Sequence, residues 1–182
     1  DIFINSSYPQ KLKWSDQNHR KFDLKTLQQN IDAHLNTYIW ISYFFAKKMK
    51  VNKIKGSIVN LSSIYGYIVQ DPNLYKKTNI NLNMMYGTIK SGISHFTKQL
   101  ASIYGKYEIR ANSILPGGLY GHIAGTSKKQ DKIFLKNYSL STPMKRLGYP
   151  EEVAKLILFL SSDASSYITG ESILIDGGKS II

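Results

Sequence analysis

Apolar residues follow two rhythms along the chain. From Asp23 to Lys50, Leu24, Leu27, Ile31, Leu35, Ile39, Phe45 and Met49 recur mostly three or four apart. That is the repeat of one helical face, and it predicts a long helix. Ile89, Ile93, Phe96, Leu100 and Ile103 repeat the pattern in a second helix. Four short runs instead are almost continuously apolar and end at turn residues: DIFIN (1–5), SIVNL (57–61), Ile109–Leu115 before Pro116-Gly117-Gly118, and Ser172–Ile175 before Asp176-Gly177-Gly178. They predict strands. Tyr65 to Met85 has no period and reads as a long loop, a length usually tied to function. A short helix is predicted around Lys129–Asn137. Another opens at Pro150, with Glu151 and Glu152 in its first turn to complement the N-terminal dipole and Val153, Leu156, Ile157 and Leu160 on its apolar face.

The order β-α-β-loop-α-β-loop-α-β, with strands apolar on both faces, predicts an α/β fold, a parallel sheet covered by helices on either side. No repeat or linker interrupts the 182 residues, so residues 1–182 are expected to form one domain. Composition narrows the function. With 42% hydrophobic residues the chain can build a core, and no run is long enough to cross a membrane. Cysteine is absent, which removes disulfides, thiolate metal sites and cysteine nucleophiles. No secretory signal is visible, so cytoplasm is the expected compartment. The formal charge of +12 invites an acidic partner, yet only Arg20, Arg110 and Arg146 are arginines and the lysines are scattered. This argues for a solvated lysine-rich surface and against nucleic acid. Residue 1 is not Met and falls directly on a strand, so the chain reads as the C-terminal portion of something longer.

Tyr86 and Lys90 stand at i and i+4, neighbours on one helical face. A cation beside a phenol favours the phenolate, lowers its pKa and makes the tyrosine a usable acid/base. Spacing alone decides nothing. With 13 tyrosines and 21 lysines, one or two such pairs arise by chance, and Tyr43–Lys47 is a second one. Context favours the first pair. Tyr86 follows the long loop, and that loop starts at the strand end Leu61-Ser62-Ser63, where open parallel sheets bind ligands. Ser63 is therefore placed to reach the same substrate oxygen, although Ser62 and Ser63 read equally well as turn caps. His19, His95 and His122 have no acidic or histidine partner at helical spacing, so no metal site is expected.

Five blocks in order, NSSY after DIFI, GSIVNLSSIYG, YGTIKSGISHFTKQLA, IRANSILPGGL and SSDASSYITGESILIDGG, resemble the short-chain dehydrogenase/reductase (SDR) family over essentially the whole chain. The resemblance implies a Rossmann-like doubly wound sheet and an oxidoreductase that uses NAD or NADP to interconvert an alcohol and a carbonyl. It implies that Ser63 orients substrate, Tyr86 is the acid/base, and Lys90 tunes the tyrosine and holds the nicotinamide ribose. Pro116 and Gly117 correspond to the turn beside the nicotinamide, the Leu119 backbone to the carboxamide contact, and Asn5 to the asparagine ending the family's fourth strand. It also implies a homodimer or homotetramer built through helices near 24–50 and 86–105. The bland alternative is a catalytically silent SDR-like protein that binds a ligand or partner.

Three features depart from the family. The glycine-rich T-G-x-x-x-G-x-G turn that holds pyrophosphate is absent from these residues, and so are the strands expected before DIFIN. The family's mid-helix catalytic Asn is replaced by His34. Asn36 lies two residues on, about 200° around the helix, and faces the wrong way unless the helix is distorted. Finally, Ser63 and Tyr86 are 23 residues apart, and the extra segment is expected to form a flap over the pocket. This insertion resembles members associated with bacterial nonulosonic-acid and related sugar biosynthesis. It would suit a small-molecule substrate such as a phosphorylated or nucleotide sugar, with Lys76, Lys77, His122, Lys128 and Lys129 available to its phosphates.

Overall fold

A computed structural model describes residues 1–8, 22–121 and 129–182. Four strands, β1 (Ile2–Asn5), β2 (Gly56–Leu61), β3 (Ile109–Pro116) and β4 (Ser172–Ile175), form one parallel sheet in the order β1-β2-β3-β4. Helices make the crossovers: α1 (Leu24–Ile31) and α2 (Thr37–Val51) between β1 and β2, α3 (Met84–Tyr104) between β2 and β3, and α4 (Lys132–Leu140) and α5 (Pro150–Ser161) between β3 and β4.

Strand alternation sorts side chains to the two faces. Ile58 of β2 packs with Ala46 and Met49 of α2 and Leu100, Ala101 and Tyr104 of α3. Its neighbours Val59 and Leu61 turn to the other face, against Val153, Leu156 and Leu160 of α5. Ile2 and Ile4 of β1 share that second face but stay 56% and 44% exposed. Among the described residues β1 pairs only with β2, so no strand lies along its other edge.

Helix ends follow local chemistry. Asp23 caps α1 by accepting from the Thr26 N–H at 2.9 Å, and Asp131 caps α4 by accepting from Ile133 and Phe134 at 2.8 and 3.0 Å. The second cap starts α4 at Lys132, three residues later than the sequence-based expectation. At α5, Glu152 accepts from the Tyr149 N–H and takes a two-pronged contact from Arg146 at 2.8 and 2.7 Å. The long first helix runs from Leu24 to Val51 as expected, but Asp32–Asn36 form a single π turn between α1 and α2. Such turns often mark functional sites.

Candidate active site

The three groups of the expected catalytic set converge where β2 ends. Ser62 continues the sheet, its N–H donating to the Ile114 carbonyl, and its hydroxyl donates to the Lys90 carbonyl at 2.7 Å. Ser63 then starts a 3₁₀ turn, Ile64–Gly66, by accepting from the Tyr65 N–H at 3.2 Å. Two glycines press this turn onto α3. A Cβ on Gly66 would sit 2.9 Å from the Lys90 carbonyl carbon, and one on Gly87 would sit 2.6 Å from the Tyr65 carbonyl oxygen. Tyr86, in the first turn of α3, is thereby brought to Ser63, whose hydroxyl hydrogen-bonds the phenol and favours its ionised form. Ser63 therefore caps a turn and contacts Tyr86 at once, so its two readings from sequence are compatible.

One turn further, Lys90 is 5% exposed. Its ammonium donates to the Leu61 carbonyl at 3.3 Å and lies 5.3, 5.8 and 5.9 Å from the ring centres of Tyr38, Tyr86 and Tyr8. Burial lowers its pKa to about 8. Tyr86 is shifted opposite to the sequence-based expectation: burial holds its phenol above the ordinary value, with the Ser63 hydrogen bond working against that rise. Desolvation of the phenol is the largest cause of its shift, and the Tyr75 charge adds to it.

The π turn presents His34 inward, 2% exposed, with its ring edge against Tyr8 at 5.4 Å. Burial, helped by the Lys90 charge, lowers its pKa to about 4, so the imidazole is neutral near pH 7. Asn36 remains outside despite the distortion and donates to Asp32 at 2.6 Å on the exposed side. Of the two candidates for the missing Asn, only His34 faces Tyr8 and Lys90, and neither lines the cleft itself.

A cleft of about 310 Å³ is lined by Ser63, Tyr86, Lys90, Pro116, Gly117 and Leu119, together with Ser7, Tyr8 and Tyr38. Gly117 has to lack a side chain, because a Cβ there would fall 2.9 Å from the Asp176 Cα and 3.0 Å from the Tyr138 hydroxyl. Asn5 is not part of the lining. Its Oδ1 accepts from the Ser7 N–H and hydroxyl, and its carbonyl accepts from the Tyr38 hydroxyl, which places it behind the cleft wall. The insertion, residues 70–85, contributes no lining residue either. Instead of covering the cleft it docks on α4: Leu74 packs with Tyr138 and Leu147, and Asn137 donates to the Leu74 carbonyl at 3.1 Å. Lys76, Lys77, Lys129 and His95 are exposed, while His19, His122 and Lys128 lie outside the described residues. Among the described residues no acidic or histidine cluster could hold a metal.

Tyr38 and Tyr8 were not singled out from the sequence. For Tyr38 a signal existed: Asn30, His34, Tyr38 and Ser42 are buried polar residues four apart on one face, a polar stripe inside an apolar helix.

A family profile described as enoyl-(acyl carrier protein) reductase matches residues 1–180. The chain belongs to the short-chain dehydrogenase/reductase family. Among its SDR relatives, post-translational flagellin modification protein A of Campylobacter coli is 30% identical over 98% of this chain and 66% of its own length. An NADH-dependent L-xylulose reductase of Ambrosiozyma monospora is 32% identical over 86% of this chain and 56% of its own length. A crystal structure of a short chain dehydrogenase from Leptospira borgpetersenii with bound NAD+ superposes with a TM-score of 0.84 at 32% identity, covering 98% of this chain and 64% of that one. The chain thus spans about 56–66% of the length of these SDR relatives. Among the described residues no helix is long and apolar enough to cross a membrane.

Proposed function

We propose that the whole protein is an NAD- or NADP-dependent oxidoreductase that interconverts an alcohol and a carbonyl on a small sugar-like or polyol substrate. The observation that carries this is the meeting of Ser63, Tyr86 and Lys90 in one cleft, with Ser63 hydrogen-bonded to Tyr86. Sugar-like chemistry is supported by the xylulose reductase relative, and nicotinamide by the NAD+ of the Leptospira structure. Activity is placed in the cytoplasm, in a homodimer or homotetramer, and residues 1–182 are read as one domain.

The residues present fit the nicotinamide-riboside half of such a cofactor. Lys90 makes one hydrogen bond among the described residues, to the Leu61 carbonyl, although an ammonium has three donors. Its remaining N–H groups suit a ribose diol, and a buried cation needs such partners. Pro116 and Gly117 line the cleft at the end of β3, where a flat ring would lie. The Leu119 carbonyl is already taken by Gln130 at 2.7 Å, which leaves its N–H for a carboxamide. Asn5 acts one layer back, by holding Ser7 and Tyr38.

When bound, the nicotinamide accepts or gives the hydride. Everything else falls to this chain. Ser63 donates to the substrate oxygen and holds it against Tyr86. Tyr86 gives that oxygen a proton during reduction and takes it during oxidation. Lys90, 5.8 Å from the Tyr86 ring centre, favours the phenolate, and His34, neutral and with one nitrogen able to donate and the other to accept, links the buried Lys90 region to Tyr8 beyond the β1 end. In the full-length protein, Tyr86→Phe should lower kcat by about a thousandfold, while NADH binding followed by fluorescence stays within about threefold. Unchanged turnover would remove the assignment.

A further inference from the structure

Four phenols from four elements gather beside the reacting centre, and three of them play no part in the mechanism above. Tyr65 follows Ser63 by two residues, and its ring meets that of Tyr86 edge to face at 6.2 Å. Tyr75, carried by the insertion, donates to the Tyr65 hydroxyl at 3.2 Å and itself accepts from Gln70 at 3.2 Å. Tyr138 of α4 accepts from the Gly118 N–H at 2.6 Å, directly behind Gly117.

The direction of this chain matters. Gln70 donates to Tyr75 and Tyr75 donates to Tyr65, so Tyr65 accepts and keeps its own hydrogen. Among the described residues no hydrogen bond uses that hydrogen. Donors chained in this way polarise one another and strengthen the terminal one. The arrangement is also rigid. Asp71 caps the 3₁₀ turn Pro72–Tyr75 by accepting from Asn73 at 2.8 Å. Tyr75 packs against Phe134 with ring centres 5.7 Å apart, and the Gly66 and Gly87 contacts lock Tyr65 to α3. Burial and the neighbouring Tyr75, Tyr138 and Tyr86 all keep Tyr65 protonated, as a donor must be.

Resting on the oxidoreductase reading, we propose that Tyr65 is a specificity-determining residue whose hydroxyl, aligned by Tyr75 and Gln70, donates to a second oxygen on the carbon next to the reacting one. The site then selects vicinal hydroxylated substrates over plain secondary alcohols. Tyr75 is a positioning residue: it acts through Tyr65. The extra segment between Ser63 and Tyr86 supplies this selectivity from the far side of Tyr65, without lining the cleft.

Butane-2,3-diol and butan-2-ol, which differ by the one hydroxyl, test this in the full-length protein with NAD+ and NADP+ as acceptors. Wild type should favour the diol in kcat/KM. Tyr65→Phe should lower kcat/KM for the diol by about 10- to 100-fold and leave butan-2-ol within about twofold. Tyr75→Phe, which keeps the ring on Phe134, should lower the diol value by about three- to tenfold with the same selectivity. Retained NADH binding confirms that each variant is folded, and if Tyr65→Phe does not fold, Tyr75→Phe decides alone. Equal losses on both alcohols, or none, would overturn the proposal while leaving the oxidoreductase reading in place. A wild type that oxidises neither these alcohols nor any sugar or polyol, with NADH still bound, would remove that reading and this proposal with it.

Discussion

Two Tyr-x-x-x-Lys pairs lie on helices of this chain and meet opposite fates. Tyr43 and Lys47 sit on the outer side of α2, both exposed, with Tyr43 at 37%, and nothing in the cleft touches them. Tyr86 and Lys90 have the same spacing, yet Lys90 is buried, Tyr86 meets Ser63, and both line the cleft. The difference is not in the pair. It lies in what α3 is pressed against: a strand end whose last residues hydrogen-bond back to the helix (Ser62 to the Lys90 carbonyl, Ser91 to the Gly66 carbonyl at 2.7 Å) and two glycines that permit the approach. Chemistry follows burial and neighbours, and spacing only makes the pair possible.

Replacing Lys90 by Met should separate the two pairs most sharply. In the full-length protein kcat should fall by about a hundredfold or more, while the melting temperature at pH 7 rises by about 2 °C or more, because a desolvated charge is removed and the stem's packing is kept. Below pH about 8 the lysine is protonated folded and unfolded, and the folded state bears the full desolvation cost. Between about 8 and 10.5 only the unfolded chain keeps the proton, so wild-type stability rises with pH and the gap to the variant should close. A Lys90→Met protein less stable than wild type at pH 7 would mean the ammonium is well solvated.

A smaller effect is expected at His34. With its pKa lowered from 6.5 to about 4, the unfolded chain binds a proton across that window and the folded one does not. Wild type therefore loses stability as pH falls from 6.5 toward 4. His34→Asn should flatten that slope by a few degrees of melting temperature between pH 7 and 5, and an unchanged slope would place His34 in water. The smallest effect belongs to the control pair. Tyr43→Phe and Lys47→Met should each leave kcat and KM within about twofold, and a tenfold loss from either would erase the contrast.

Much of the fold was legible because its strands are short apolar runs ended by Gly, Pro or Asn, and its helices keep a clean period. The start of α4 was misplaced because nothing in its polar, lysine-rich surroundings marks Asp131 as the cap. At the site, the strand end and the Tyr86–Lys90 face could be read directly. The π turn could not, since the polar stripe Asn30, His34, Tyr38 and Ser42 keeps a four-residue step straight through it. Docking of the insertion on α4 was equally hidden, because Leu74 and Tyr75 carry no period and their partners lie some 60 residues away. The direction of the Tyr86 shift failed for an energetic reason: pairing a phenol with a lysine ignores that both lose water together.

Ser63 and Tyr86 are proposed to act on one oxygen as a unit. The direct test is a double-mutant cycle on kcat in the full-length protein, with Ser63→Ala, Tyr86→Phe and both together. Groups that act as a unit are strongly non-additive, so the double variant should lie within about threefold of Tyr86→Phe alone. Losses that multiply would show two independent contributions and contradict the account.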